Sequence, residues 1–176
     1  MRVVVLSVTL AGLALATLAS AATNTPAPDA QPATMNGQVD FSGFRALAGE
    51  VQAHRANRLV SLAQFQAMAR EAGTIVLDAR SAAAYKAGHI AGAINLPLPD
   101  FTAESLKRAI PSSATRILIY CNNNFENNAS PVVLKRVDLA LNIQTFINLY
   151  GYGYKNVYEL GDVVNFNDPA VGWVKG

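Results

Sequence analysis

The feature that most constrains the fold of this chain is its alternation of short apolar runs with segments of helical character. Short apolar runs predict strands, while helical spacing and a capping-box pair, Ser61 and Gln64, predict helices between them. The predicted strands are residues 58–60, 74–77, 93–96, 116–120 and 156–160, and the predicted helices are residues 61–71, 82–87, 101–110 and 130–150. This alternation predicts an α/β fold with a central, mostly parallel sheet flanked by helices.

The N-terminus has the pattern of a secretory signal peptide. Arg2 supplies the positive charge, residues 3–18 are apolar, and Ala19-Ser20-Ala21 forms a small-residue cleavage pattern. The apolar run is shorter than the roughly 20 residues that a membrane-spanning helix needs. We therefore predict that residues 1–21 are a signal peptide cleaved after Ala21. The mature protein is expected to be periplasmic or secreted and not to span the membrane.

The mature chain is expected to be close to neutral. Loss of Arg2 leaves 13 of the 14 basic residues against 12 acidic residues. This balance provides no large field for nucleic acid, so we predict no nucleic-acid partner. The chain has no glycine-rich phosphate loop, and its two histidines, His54 and His89, are far apart in sequence. We predict neither a cofactor nor a metal.

The chain after the predicted signal divides into three parts by composition. Residues 22–38 are rich in Pro, Thr, Asn and Ala, which is typical of a flexible tether. Residues 39–57 carry large apolar side chains at helical spacing, which predicts a helical extension that packs on the core. Residues 58–176 contain the alternating strands and helices and form the predicted domain.

Cys121 is the only cysteine in the chain, and it follows directly after the predicted strand 116–120. Open α/β sheets bind ligands at the carboxyl ends of their strands, where Cys121 is expected to lie. One cysteine cannot form an internal disulfide, so the thiol is free, paired with another molecule, or reactive. Residue type alone favours an inert buried thiol. The polar loop after it argues for a site; its residues are Asn122, Asn123, Asn124, Phe125, Glu126, Asn127 and Asn128.

Three motifs in this order resemble the rhodanese domain: Ile-Val-Leu-Asp-Ala-Arg at residues 75–80, Tyr-Lys-Ala-Gly-His-Ile-Ala-Gly-Ala-Ile-Asn-Leu-Pro at residues 85–97, and Ile-Tyr-Cys at residues 119–121. The resemblance covers about residues 58–163. It implies a three-layer, rhodanese-like fold and a catalytic Cys121 that accepts sulfane sulfur as a persulfide. It also implies supporting roles for Asp78, Arg80 and His89. We interpret Asp78 and Arg80 as structural hydrogen-bond and ion-pair residues, and His89 as architectural.

A thiol must ionise to act as a nucleophile, and its reference pKa is about 8.5. We expect an accessible Cys121 whose pKa is lowered by N–H groups of the loop 122–128 and by the N-terminus of a helix beginning near Ala129 or Ser130. Asparagine tolerates the left-handed conformations that such a curled loop needs. A merely solvated turn is the alternative.

The loop departs from the common rhodanese pattern, since no Arg or Lys lies between Cys121 and Lys135 and Glu126 adds a negative charge. Thiosulfate is a dianion, so efficient thiosulfate:cyanide transfer is not expected. We predict a periplasmic sulfurtransferase-like sulfur carrier whose partner is a small sulfur compound or a protein persulfide. The alternative is a non-catalytic binding module for such a compound or for a periplasmic partner protein. For the tyrosines of the segment Tyr150–Tyr154, packing at the sheet edge is favoured over a ligand-facing rim.

Overall fold

The computed structural model describes residues 37–176; the predicted signal peptide and nearly all of the predicted tether lie outside them. This part of the chain contains seven strands: β1 (Leu59–Val60), β2 (Thr74–Asp78), β3 (His89–Ile90), β4 (Ile94–Asn95), β5 (Arg116–Tyr120), β6 (Val157–Leu160) and β7 (Trp173–Val174). Five of them form a sheet in the order β1-β6-β5-β2-β4, with every neighbouring pair parallel. Strands β3 and β7 form a separate antiparallel pair.

Helices cover both faces of the five-stranded sheet. They are α1 (Phe41–Arg55), α2 (Leu62–Ala69), α3 (Ala82–Ala87), α4 (Ala103–Ala109) and α5 (Leu141–Gly151). On β5, Ile117 and Ile119 belong to the apolar cluster formed with α1, α4 and α5, whereas Leu118 and Tyr120 belong to the cluster formed with α2. Side chains of successive strand residues point to opposite faces, so one strand supports both layers. The α/β fold with a central parallel sheet flanked by helices is confirmed.

Local sequence signals account for several helix boundaries. The predicted capping box is present: the Gln64 N–H donates to Ser61 Oγ at 3.3 Å, and the Ser61 N–H donates to Gln64 Oε1 at 2.9 Å. The helix predicted within residues 39–57 is α1, which packs against α5. None of the helices within residues 37–176 is both long enough and apolar enough to cross a membrane.

The helix predicted over residues 130–150 is wrong in its first half. Helix α5 begins at Leu141, and the chain before it is irregular apart from one 3-10 turn, Val137–Leu139. Pro131 has no N–H to donate within a helix. In addition, asparagine side chains bind the backbone of residues 133–135, which offers these groups an alternative to helical hydrogen bonds.

A buried ion pair joins the end of β2 to the Gly-His-Ile motif. Asp78 and Arg80 are 0% and 3% exposed, and Arg80 Nη2 lies 2.5 Å from Asp78 Oδ2. The same guanidinium donates to the Gly88 carbonyl at 2.7 Å. Tyr120 donates from its hydroxyl to Asp78 at 2.6 Å and accepts from the Ile90 N–H at 3.1 Å. Burial, followed by the charge of Asp78, raises the pKa of Tyr120 and keeps its hydroxyl protonated as a donor.

We expect Tyr120→Phe to lower the free energy of unfolding by about 1–3 kcal/mol, because it leaves the buried Ile90 N–H without its acceptor and removes one donor to Asp78. Urea denaturation measures this change. Tyr158→Phe is the matched control, since within residues 37–176 the Tyr158 hydroxyl makes no side-chain hydrogen bond and its ring faces Arg58. Equal losses in the two variants would contradict the prediction.

Candidate active site

Cys121 lies at the carboxyl end of β5 and opens a 3-10 turn formed by Asn122–Asn124. Three backbone N–H groups near its sulfur act to lower the pKa of the thiol: one from Asn123 in the turn, and those of Leu141 and Asn142 in the first turn of α5. The positive end of a helix therefore faces the thiol, as α5 has 11 residues and begins at this point. This helix follows Cys121 at a greater distance in sequence than expected, because it starts at Leu141 instead of near Ser130.

The expectation of an accessible and unusually acidic thiol is wrong. Cys121 is only 1% exposed, and this burial raises its pKa above the ordinary value. The N–H groups of Asn142, Asn123 and Leu141 act in the opposite direction, while the negative charge of Glu159 raises the pKa further. Removing water from around a thiolate disfavours the charged form, and here that effect exceeds the stabilisation by the three N–H dipoles.

Cys121 lines a cavity of about 190 Å³ at this edge of the sheet. Three asparagines line the cavity together with Cys121: Asn123, Asn124 and Asn142. Apolar residues supply much of the remaining wall: Leu59, Val137, Ala140, Ile143, Leu160 and Val163. Val137 and Val163 are 83% and 64% exposed, so part of this apolar wall also faces solvent. The thiol thus borders a small space in which a ligand of matching size can be placed.

An ion pair from two distant parts of the chain lines the same cavity. Arg55, at the end of α1, donates from Nε and Nη2 to the two carboxylate oxygens of Glu159 at 2.5 and 2.6 Å. Glu159 belongs to β6 and is 5% exposed, whereas the Arg55 side chain is about one third exposed. The hydrogen bond to Glu159 raises the pKa of Arg55. Such bidentate pairing holds both groups in one geometry.

The sequence interpretation missed both members of this pair. The apolar spacing of residues 39–57 predicts only packing on the core, and the sequence motifs do not include Glu159. One signal was available for Glu159, because a carboxylate inside a short apolar strand of a buried parallel sheet requires a partner. No comparable signal marked Arg55, since a basic residue in the last turn of a helix is ordinary.

Asn124 fixes the turn that carries Cys121. Its Oδ1 accepts from the Cys121 N–H at 2.9 Å and from Asn142 Nδ2 at 3.0 Å. Its Nδ2 donates to the carbonyls of Leu160 and Asp162 at 2.7 and 3.1 Å. One buried amide therefore connects the ends of β5 and β6 with the start of α5. The Asn142 Nδ2 also donates to Glu159 Oε1 at 3.2 Å, which extends this network to the ion pair.

The other asparagines of the loop bind neighbouring backbone. The side-chain amide of Asn123 makes two hydrogen bonds with the backbone of Lys135. Its Nδ2 donates to the Lys135 carbonyl at 2.8 Å, and its Oδ1 accepts from the Lys135 N–H at 3.1 Å. Asn122 donates to the Val133 carbonyl, and Asn128 accepts from the Leu134 N–H at a positive φ of 42°. These bonds order the loop against residues 133–135, so it is an ordered turn rather than a merely solvated one.

Three residues of the loop do not line the cavity that contains Cys121: Phe125, Glu126 and Asn127. Phe125 is fully buried, and its ring contacts Trp173 at a centroid distance of 5.0 Å. Asn127 Oδ1 accepts from the Phe166 N–H at 3.0 Å. Glu126 is exposed, accepts from Asn165 Nδ2 at 2.9 Å and does not line the cavity. Glu126 is thus not part of the cavity lining, whose carboxylate is that of Glu159.

The predicted supporting residues lie outside the thiol cavity. Asp78 and Arg80 form the ion pair described above, and His89 stacks on Tyr85 at 3.8 Å with its Nδ1 3.0 Å from the Tyr85 carbonyl oxygen. The three tyrosines of residues 150–154 do not line the cavity either; Tyr154 packs in the core, and Tyr152 donates to the Phe101 carbonyl. Within residues 37–176, no three His, Cys, Asp or Glu side chains are grouped as metal ligands.

Residues 61–166 match the family model described as the rhodanese-like domain. This match covers more than half of the chain, and the chain belongs to that family. No curated protein matches the chain in sequence.

Solved structures similar to this chain include three bacterial proteins. A rhodanese from E. coli, solved with anions, is 25% identical, with 58% of this chain and 99% of that chain covered and a TM-score of 0.40. The protein BH2092 from Bacillus halodurans is 23% identical, covering 66% and 74%, with a TM-score of 0.41. A thiosulfate sulfurtransferase from Pseudomonas aeruginosa is 22% identical, covering 76% of this chain but 23% of that one, with a TM-score of 0.46.

We expect the Cys121 thiol of the folded protein to ionise at higher pH than in the denatured chain. Its pKa is raised by burial, so at neutral pH the folded protein holds mostly thiol, and the thiolate fraction grows only as pH rises through the raised pKa. Alkylation by iodoacetamide as a function of pH measures this, and the urea-denatured chain provides the matched reference at the same single cysteine. A folded midpoint at or below the denatured one would contradict the prediction.

Proposed function

We propose that this protein is a sulfur carrier of the sulfurtransferase type that holds sulfane sulfur as a persulfide on Cys121. The observation that carries this proposal is the position of Cys121 at the carboxyl end of β5, in a cavity that Ala140 and Asn142 at the N-terminus of α5 also line. Oriented N–H dipoles and a helix N-terminus stabilise a sulfur anion without requiring a cationic side chain. Membership of the rhodanese-like family supports the same chemistry.

In the proposed reaction, the Cys121 thiol first loses its proton to a base in solution. The thiolate attacks the terminal sulfur of a donor R–S–SH, a new S–S bond forms at Cys121, and the donor bond breaks so that R–S⁻ leaves with the electron pair. The N–H groups around Cys121 favour the anionic sulfur that this step requires. The reverse exchange with an acceptor thiol returns Cys121 to its starting state.

The residues that line the cavity favour sulfur donors of low charge, such as a small sulfur compound or a protein persulfide. Its walls are largely apolar, and its two charged side chains, Arg55 and Glu159, are paired with each other. A thiosulfate dianion would lose water on entry and gain no unpaired cation among these lining residues. We therefore do not propose efficient thiosulfate:cyanide transfer.

We further propose that the protein acts in the periplasm, after cleavage of a signal peptide at Ala21. The support for this location is the charged, apolar and small-residue pattern of residues 1–21.

The second candidate is a binding module that recognises a partner protein or a small sulfur compound without turnover. The burial of Cys121 and its raised pKa favour this alternative, because both reduce the amount of reactive thiolate at neutral pH. The two candidates differ in whether Cys121 gains sulfur when a donor is supplied.

Intact mass spectrometry after incubation with cysteine persulfide, a donor of the form R–S–SH, tests the proposed function. We expect added sulfur atoms on the native protein and none on Cys121→Ser, because the chain has no other cysteine. Transfer of this sulfur to an added thiol, with loss of the added mass, would support a carrier. A native protein that binds the donor but never gains sulfur would contradict the proposal and favour the binding module.

A further inference from the structure

Arg55 and Glu159 are the only charged side chains among the residues that line the Cys121 cavity within the described part of the chain. Their two hydrogen bonds, at 2.5 and 2.6 Å, engage both oxygens of the carboxylate with one guanidinium. The opposite charges cancel, so the cavity beside the thiol is close to neutral. Arg55 also precedes the segment that matches the family, residues 61–166, and is contributed by helix α1.

We propose that the Arg55–Glu159 pair determines which sulfur donors Cys121 accepts, by keeping the cavity neutral and so excluding dianions such as thiosulfate. This inference deepens the function proposed above and rests on it for the identity of the donor. Glu159 neutralises the charge of Arg55. Arg55 therefore affects donor specificity through this pair, and it does not bind the substrate directly.

Geometry and burial support this role for Glu159. Glu159 is 5% exposed, and its carboxylate is bound by Asn142 Nδ2 as well as by Arg55. Displacing this carboxylate from Arg55 by an incoming anion would therefore cost considerable free energy. An anion that bound Arg55 in its place would leave a buried carboxylate without its counter-ion. A neutral or weakly charged donor can enter without breaking the ion pair, and it loses less hydration free energy in a cavity with largely apolar walls.

Sulfur transfer from thiosulfate, the reaction that the ion pair is proposed to disfavour, needs no additional oxidant or reductant. A Cys121 thiolate attacks the sulfane sulfur of thiosulfate, the Cys–S–S⁻ persulfide forms, and the S–S bond of thiosulfate breaks. Sulfite leaves as the dianion with the electron pair, so the total charge of −3 is conserved. The barrier proposed here is therefore the entry of a dianion into a neutral, largely apolar cavity.

Two alkylating reagents report the charge of the cavity without any sulfur transfer. Iodoacetamide is neutral and iodoacetate carries one negative charge, yet both replace iodide by the same attack of the Cys121 thiolate. The ratio of the iodoacetate rate to the iodoacetamide rate cancels any change in the thiolate fraction. A variant that alters only the pKa of Cys121 leaves this ratio unchanged.

We expect Glu159→Gln to raise the ratio by about tenfold, since it leaves Arg55 as an uncompensated cation at the cavity. Arg55→Gln should lower the ratio, since it leaves the carboxylate alone. The double variant Arg55→Gln with Glu159→Gln should return the ratio to the native value, which general structural damage would not do. Arg58→Gln is the matched control, because Arg58 stacks on Tyr158 and does not line the cavity.

The same variants are then loaded with thiosulfate, a dianion, and with cysteine persulfide, which has a lower net charge, and the persulfide on Cys121 is measured by intact mass. We expect Glu159→Gln to shift loading towards thiosulfate by about tenfold relative to cysteine persulfide. An unchanged alkylation ratio in Glu159→Gln and Arg55→Gln would overturn the inference, whatever the sulfur donors do. Altered alkylation ratios without sulfur uptake from either donor would instead overturn the proposed function and leave the charge effect of the pair established.

Discussion

The buried amide of Asn124 is the interaction on which the arrangement of the site depends. It accepts from the backbone of Cys121 and from the Asn142 side chain, and it donates to the carbonyls of Leu160, which ends β6, and of Asp162 beyond it. An isosteric carboxylate has no N–H to donate, and an apolar side chain has neither group, so few residue types can replace it. Through this amide, the position of the thiol, the start of α5 and the end of β6 are set together.

The site combines opposing effects on one sulfur. Burial and a nearby carboxylate disfavour the thiolate, whereas helix α5 and the 3-10 turn present N–H groups that favour an anion. The outcome at rest is a protonated thiol that is protected inside the domain. In the proposed carrier, a persulfide would extend the Cys121 side chain by one sulfur beside the cavity that this residue lines. The proposed carrier role thus separates a stable resting thiol from a loaded form whose reactive atom is closer to the ligand space.

The overall fold was predictable from the sequence, whereas the composition of the site was predictable only in part. Strand–helix alternation indicated the parallel sheet, and Cys121 was located because it follows an apolar strand. Helix α5 was predicted to begin too early, because the side chains of Asn122, Asn123 and Asn128 bind backbone that lies several residues away in sequence. The Arg55–Glu159 pair was missed because its members are 104 positions apart, and only the folded chain brings them together.

Helix α1 has a consequence for how this domain can be divided. The family match begins at residue 61, and the first strand begins at Leu59, so either position is a natural place to trim the chain. A fragment that begins at Leu59 would retain the thiol, the asparagine turn and all five strands of the sheet, yet Glu159 would lose the guanidinium that balances it. A buried carboxylate without a counter-ion takes up a proton or draws water inward. The segment that matches the family and the segment that contains the complete ion pair of the cavity are thus different lengths of polypeptide.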